Sequence, residues 1–360
     1  VTYYYSTSNT NTGGTEWSKV TSSTSLNAGT YYMYAVIDAT TNYNGKTTAA
    51  SSFTISQATG TVTLTPNSGS VAYGTGSTTF KATTNSGTLS VTDDHGTAEV
   101  AINSGTVTIS TLSALNAGTT IKVTVSAAAS TNYTAASAIY TLTITKASLV
   151  KPTESGITYI YNGDSQTYTP KNFISSTMGI SGNTRTPAGS QNVTVSIKNT
   201  TNYQWSDGTI TSFTLPFEIE KADLTLTLAV NNQTATYNGS PASITNSYTK
   251  SASGLKGTDG VNVVTIGGTA VYKYSSASYT ANAVAPTNAG SYTIALSGLS
   301  ATADNYTVTV EYTDGTLAIQ PKDVTVEFSN YENLVYNKCE QQITVNLKGV
   351  IDGDNCTCLL

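Results

Sequence analysis

The stretch Asn27–Tyr43 reads NAGTYYMYAVIDATTNY, a glycine turn, a tyrosine-rich run and a closing Asn-Tyr pair. The same sentence returns as NAGTTIKVTVSAAASTNY from Asn116, PAGSQNVTVSIKNTTNY from Pro187 and NAGSYTIALSGLSATADNY from Asn288. From its glycine (Gly29, Gly118, Gly189, Gly290) to its last tyrosine the distance is 14, 15, 14 and 16 residues. Spacing held that tightly marks an internal repeat, which decides the fold before any single motif does.

Two further markers keep step. A strand-end phrase occurs as FTISQA ending at Ala58, LTITKA at Ala147, FEIEKA at Ala222 and a looser LAIQPK at Lys322. A tyrosine turn follows it by 15, 14, 15 and 14 residues: YGTG at Tyr73, YNGD at Tyr161, YNGS at Tyr237 and YNKC at Tyr336. Within a repeat the apolar period is two. Tyr292, Ile294 and Leu296 alternate with small and polar residues, as do Val193, Val195 and Ile197, giving one buried and one wet face. Ile121, Val123 and Val125 sit one residue out of step with Tyr292, which predicts a bulge or register change after Gly118. Strands separated by Gly, Asn and Ser turns predict an all-β fold of tandem immunoglobulin-like antiparallel β-sandwich domains.

The markers place the boundaries. Residues 1–57 are the C-terminal part of a domain, 58–146, 147–221 and 222–321 are whole domains, and 322–360 are the N-terminal part of another. The seams YTLTITKASLV and FEIEKADLTLTL carry no Gly, Pro or Ser-rich spacer, so the domains are expected to stand end to end as a rod. Each marker has an expected local role. Ala-Gly launches a central strand, Tyr-Asn-Gly closes a hairpin, and Tyr43, Tyr133, Tyr203 and Tyr306 act as tyrosine corners.

Composition excludes several classes. Charged residues are 10% of the chain, against about a quarter in ordinary globular proteins. With 24 tyrosines and a net charge of −5, this is a Thr- and Ser-faced β protein rather than a disordered one. Arg185 is the only arginine and the lysines are scattered, so no nucleic-acid partner is expected. No apolar run approaches the eighteen or so residues of a membrane-spanning segment. VTYYYSTSNT at the start lacks the regions of a signal peptide, and the chain reads as an internal piece of something longer.

The ITKA and IEKA seams, the YNG turn and the sentence NAGSYTIALSGLSATADNYTVTVEYTDGTLAI resemble the MBG-type and related bacterial immunoglobulin-like tandem repeats. YYYSTSNTNTGGTEWSKV, from Tyr3, is similar to the middle of such a repeat. Those repeats occur in large cell-surface proteins, notably of Gram-positive bacteria, and the resemblance implies spacer and display modules. The repeat 58–146 departs most, with YGTG in place of YNG.

Few residues carry candidate chemistry. His95 is the only histidine, which leaves no His-based triad or cluster. Asp93, Asp94 and Glu99 around it, and Asp352 with Asp354, are candidate Ca²⁺ ligands without EF-hand spacing, and are read as turn builders. Cys339, Cys356 and Cys358 are an odd number that cannot pair fully within the chain, and Cys-x-Cys is tighter than a usual zinc pair. Tyr3 to Tyr5, Tyr31 to Tyr34, Trp17 and Trp205 are candidate sugar-stacking rings, read instead as strand alternation. Lys146 and Lys221 sit at seams, away from where an isopeptide bond would need them buried. The sequons at Asn192 and Asn199 are expected by chance in so Asn- and Thr-rich a chain.

No catalytic, cofactor-binding or metal-binding residue is assigned, no cofactor is expected, and the chain is read as a non-enzyme. The expected role is a structural stalk of an extracellular protein, secreted or attached to the cell wall, whose partners are neighbouring domains. The alternatives are an adhesin module binding a host glycan or protein, with a site in the variable segment 246–288, or a self-associating surface-layer or filament subunit.

Overall fold

The computed structural model describes residues 1–19 and 25–356, so Cys358 lies outside the described residues. The chain divides into two compact units. The first holds residues 1–151, 174–179 and 196–212; the second holds 152–173, 180–195 and 213–360. Regular structure is almost all strand, as the period-two pattern predicts.

In the first unit the stretch 58–146 builds two facing sheets. One runs Glu99–Asn103, Thr106–Ser110, Thr78–Thr84, Val62–Thr65; the other runs Ser68–Ala72, Ala136–Thr145, Thr120–Ala127, Leu89–Asp93. Lettered in chain order, these are the ABED and CFG sheets of an immunoglobulin sandwich with a split first strand. The inner faces alternate as read: Ile121, Val123 and Val125 are fully buried while Lys122 is exposed. Phe80 stacks on Tyr140 at 3.9 Å between ring centroids. The bulge predicted after Gly118 is not in the strand, because pairing runs unbroken from Thr120↔Thr143 to Ala127↔Ala136. The odd residue is taken up in the turn, where Gly118 adopts φ +92° and donates its N–H to Ile144 O.

The same unit holds the three-strand core of residues 1–57, with Gly29–Ile37 between Thr2–Ser6 and Ser51–Ile55. Tyr31 and Tyr34 point inward and are buried. Tyr203–Trp205 lies parallel to Ala147–Leu149 and drives Trp205 fully out of solvent.

In the second unit Phe213–Glu220 pairs with the start of the strand Gly189–Ile197 on one side and, in parallel, with Tyr159–Ile160 on the other. The stretch 222–321 is again two sheets. Ala222–Val230 is central to one, between Tyr248–Ser253 and Tyr306–Thr313. Gly290–Thr302 is central to the other, between Gly315–Gln320 and Thr265–Ser276. Leu224, Leu226, Leu228, Ile294, Leu296, Leu317 and Ile319 form the core between them. Thr325–Ser329 and Thr344–Lys348 make a hairpin that leaves Val326 and Phe328 half exposed.

The sandwiches are not purely antiparallel. In each whole repeat a short segment crosses sheets and pairs in parallel with the last strand: Ser68–Ala72, Tyr159–Ile160 and Gln233–Thr236. The Tyr-x-Gly turn follows these crossing segments directly, so it is not the hairpin its Asn-Gly chemistry predicts. At Tyr161, for example, it joins Tyr159–Ile160 to Gln166–Thr167, which pairs instead with Thr184–Arg185 in another sheet.

Candidate functional site

The three sequence markers converge where one repeat meets the next. Every contact described below lies within a single unit. The strand-end phrase enters the downstream repeat alongside that repeat's own Asn-Tyr pair. Ala58, Ala147 and Ala222 donate their N–H groups to the carbonyl oxygens of Asn132, Asn202 and Asn305 at 2.8, 2.9 and 3.1 Å. In each case the alanine pairs in parallel with the tyrosine that follows: Tyr133, Tyr203, Tyr306.

The residue before each alanine has a long donor side chain, and all three use it alike. Gln57 Nε2 donates to Ser130 O at 2.8 Å, Lys146 Nζ to Thr200 O at 2.6 Å and Lys221 Nζ to Ala303 O at 3.1 Å. The acceptor is two residues before the Asn every time. The seam lysines therefore hold the corner of the following repeat.

The Asn side chain then reaches back to the Ala-Gly phrase of the upstream repeat. Asn132 Oδ1 accepts the Ala28 N–H at 2.8 Å while its Nδ2 donates to Asn27 Oδ1 at 2.9 Å. Asn202 does the same with Ala117 N–H and Asn116 Oδ1, both at 2.8 Å. Asn305 Oδ1 accepts the Ala188 N–H at 3.0 Å, and Pro187 stands where the others have the second asparagine. An amide that accepts with one atom and donates with the other suits this geometry, and neither Asp nor Leu does both.

The tyrosine turn closes the other side. The Tyr73 ring meets Tyr203 edge to face at 5.4 Å, and Tyr161 meets Tyr306 at 5.3 Å. Where the downstream repeat carries a Leu-Lys-Gly loop, an acid joins them. Tyr161 and Tyr306 both donate to Asp259 Oδ2, at 2.9 and 2.6 Å, while Tyr306 accepts the Lys256 N–H at 2.8 Å. Tyr237 donates to both carboxylate oxygens of Asp354 at 2.7–2.8 Å, after a second Leu-Lys-Gly at 347–349. Gly163 packs against Gly257, and a Cβ on Gly163, at φ +89°, would stand 2.7 Å from the Gly257 Cα. Only glycine fits that approach.

Burial, and then the hydrogen bond to Asp259, pushes the Tyr306 hydroxyl up to about 12, and the same causes raise Tyr161. A phenol whose folded value lies above its unfolded value near 10 contributes stability that is whole below pH 10. That contribution is lost as pH rises toward 12. Thermal melts between pH 8 and pH 12 are expected to show the second unit losing stability from pH 10 upward. Tyr306→Phe should flatten the slope in that window, and an unchanged slope would count against the assignment.

The remaining candidates are accounted for one by one. Asp93 Oδ1 caps the His95 and Gly96 N–H groups at 2.9 Å, and Asp94 Oδ1 accepts the Lys122 N–H at 2.8 Å. His95 is exposed, with Nδ1 2.6 Å from Thr97 Oγ1. Asp354 is not a turn builder but the partner of Tyr237. Arg185 folds back on the Pro187 and Ala188 carbonyls at 2.8 and 2.9 Å and so braces an Ala-Gly turn. Cys339 and Cys356 are exposed thiols. Among the described residues no cluster of three His, Cys, Asp or Glu side chains converges as metal ligands would. No helix is long and apolar enough to cross a membrane. Trp205 is fully buried and Tyr31 and Tyr34 nearly so, which removes them as sugar-stacking platforms; Tyr3 and Trp17 keep 54% and 38% of their surface.

The tyrosine corners are elsewhere than predicted. Tyr31 and Tyr292, two residues after the Ala-Gly glycine, donate to the backbone oxygens of Asn27 and Asn288 at 2.9 and 2.8 Å. The second Leu-Lys-Gly was the signal in the sequence for the Asp259 and Asp354 contacts, and it passed unread.

The sheet order and these corners define tandem immunoglobulin-like sandwiches. Residues 226–318 match the family model of the MBG domain (YGX type), which contains Tyr237 and Asp259. No curated protein matches the chain. Among solved structures, the I9-I11 tandem of titin is 12% identical, with 72% of this chain and 100% of that one covered at a TM-score of 0.24. Sidekick-1 immunoglobulin domains 1–5 are 15% identical, covering 82% and 67% at 0.21. A Bacteroides ovatus SGBP-B in complex with a mixed-linkage heptasaccharide is 13% identical, covering 85% and 76% at 0.17. At such scores the sheet order, not these neighbours, carries the fold.

Proposed function

We propose that this chain is a structural stalk segment of a bacterial extracellular surface protein, with each repeat a separate domain and no chemistry of its own. The observation that supports this reading most is the recurring junction. The same Asn, Ala and Tyr groups join successive repeats, and Lys146, Lys221, Asp259 and Asp354, which could have served chemistry, serve these contacts. A junction built from uncharged hydrogen bonds and ring edges is little affected by salt. That suits a part whose task is to hold a distal module at a distance outside the cell.

Pulling single molecules from both ends tests the reading. Stepwise unfolding is expected, each whole repeat releasing roughly 25–35 nm of chain at 3.3–3.6 Å per residue. One rupture releasing the entire chain would overturn the reading of separate domains. A glycan array with strong, saturable binding would overturn the reading of a passive spacer.

A further inference from the structure

The Asn-Tyr corner and the Ala-Gly phrase each occur four times, and three pairs of them are engaged. One of each is left over, and both are built as their engaged counterparts are. At the corner Thr40–Tyr43, Thr40 N–H donates to Tyr43 O at 2.9 Å, as Ser130 N–H donates to Tyr133 O at 3.0 Å. Both close with Thr-Asn-Tyr. Yet Tyr43 is 78% exposed, whereas Tyr306 in its junction is 2% exposed.

The unused receptor is NAGSY at 288–292, which matches NAGTY at 27–31. In both, the tyrosine hydroxyl fixes the turn through the first asparagine's carbonyl. Asn27 and Ala28 are bonded by Asn132; no such bond reaches Asn288 or Ala289 among the described residues. Instead Asn288, Ala289, Tyr237, Lys322 and Ile351 line an open cavity of about 390 Å³. The Tyr237–Asp354 contact beside it is already made, so this junction is half complete.

We infer that the open receptor takes the Asn42-Tyr43 corner of a second copy, so that the chain associates head to tail. The geometry of the engaged lock assigns the bonds: Asn42 Oδ1 accepts from the Ala289 N–H, and Asn42 Nδ2 donates to Asn288 Oδ1. A corner on one end and a receptor on another make a heterologous contact, which propagates rather than closes. The inner locks also benefit from a covalent seam, worth an effective concentration in the millimolar range. Without it, association is expected only as protein concentration approaches about 1 mM.

The test is sedimentation together with amide NMR of this chain from about 10 μM to 1 mM, under reducing conditions so that Cys339 and Cys356 form no cross-link. The expected result is a mass that grows with concentration while the Ala289 and Asn42 amides shift together. Asn42→Ala should weaken the growth at least tenfold, and Asn132→Ala, which alters an inner lock, should leave it in place. A single mass at every concentration overturns the inference. So does growth that Asn42→Ala leaves unchanged. Neither result touches the stalk reading, which rests on the inner junctions alone.

Discussion

Trp205→Ala is expected to lower the stability of the first unit by about 3–5 kcal/mol, the usual cost of removing a large buried aromatic. Trp205 has no solvent-exposed surface, and its indole N–H donates to Thr211 O at 2.8 Å. The substitution leaves both a cavity and an unpaired carbonyl. Denaturant unfolding, followed at residues of the first unit, measures the loss. A change below about 1 kcal/mol would mean that the ring does not hold this region together. The comparison with Trp17 sharpens the test. Trp17 is 38% exposed, so Trp17→Ala removes less buried surface and should cost distinctly less.

Asn202→Ala is expected to cost about 2–3 kcal/mol, more than the same change at Asn132. Asn202 is 2% exposed, and its side chain satisfies the Ala117 N–H and the Asn116 amide. An unsatisfied buried polar group costs about 1–3 kcal/mol, and two are created here. Asn132 is exposed, so water can replace its bonds, and Asn132→Ala should cost about 0.5–1.5 kcal/mol. Hydrogen exchange at Ala117 provides a local readout, since its amide loses its acceptor directly. Equal costs at the two positions would show that burial does not set the strength of the junction.

The period of the strands, the spacing of the markers and the recurrence of the seams were all legible in the sequence, because each is a local property. Alternation at Ile121, Val123 and Val125 needs only a count of two. What the markers do was not legible, because their partners lie in another repeat. Asn27-Ala28-Gly29 and Asn42-Tyr43 look like the two ends of one strand sentence, yet each end faces a different neighbour. Tyr161-Asn162-Gly163 has hairpin chemistry. Here it is instead a turn whose glycine must approach Gly257 and whose tyrosine must reach Asp259. Tyr43 and Tyr31 are equally plausible corners by type. Only the distance from a hydroxyl to a carbonyl four residues back separates them.

The division of the lock between neighbours has a consequence for how such a chain can change length. Each repeat carries a plug, its Asn-Tyr corner, and a socket, its Ala-Gly phrase, and each fits the copies made by other repeats. Recombination between two seams would therefore add or remove a whole repeat and leave a working plug beside a working socket. Reach could be adjusted by copy number, without new contacts having to be found at each addition.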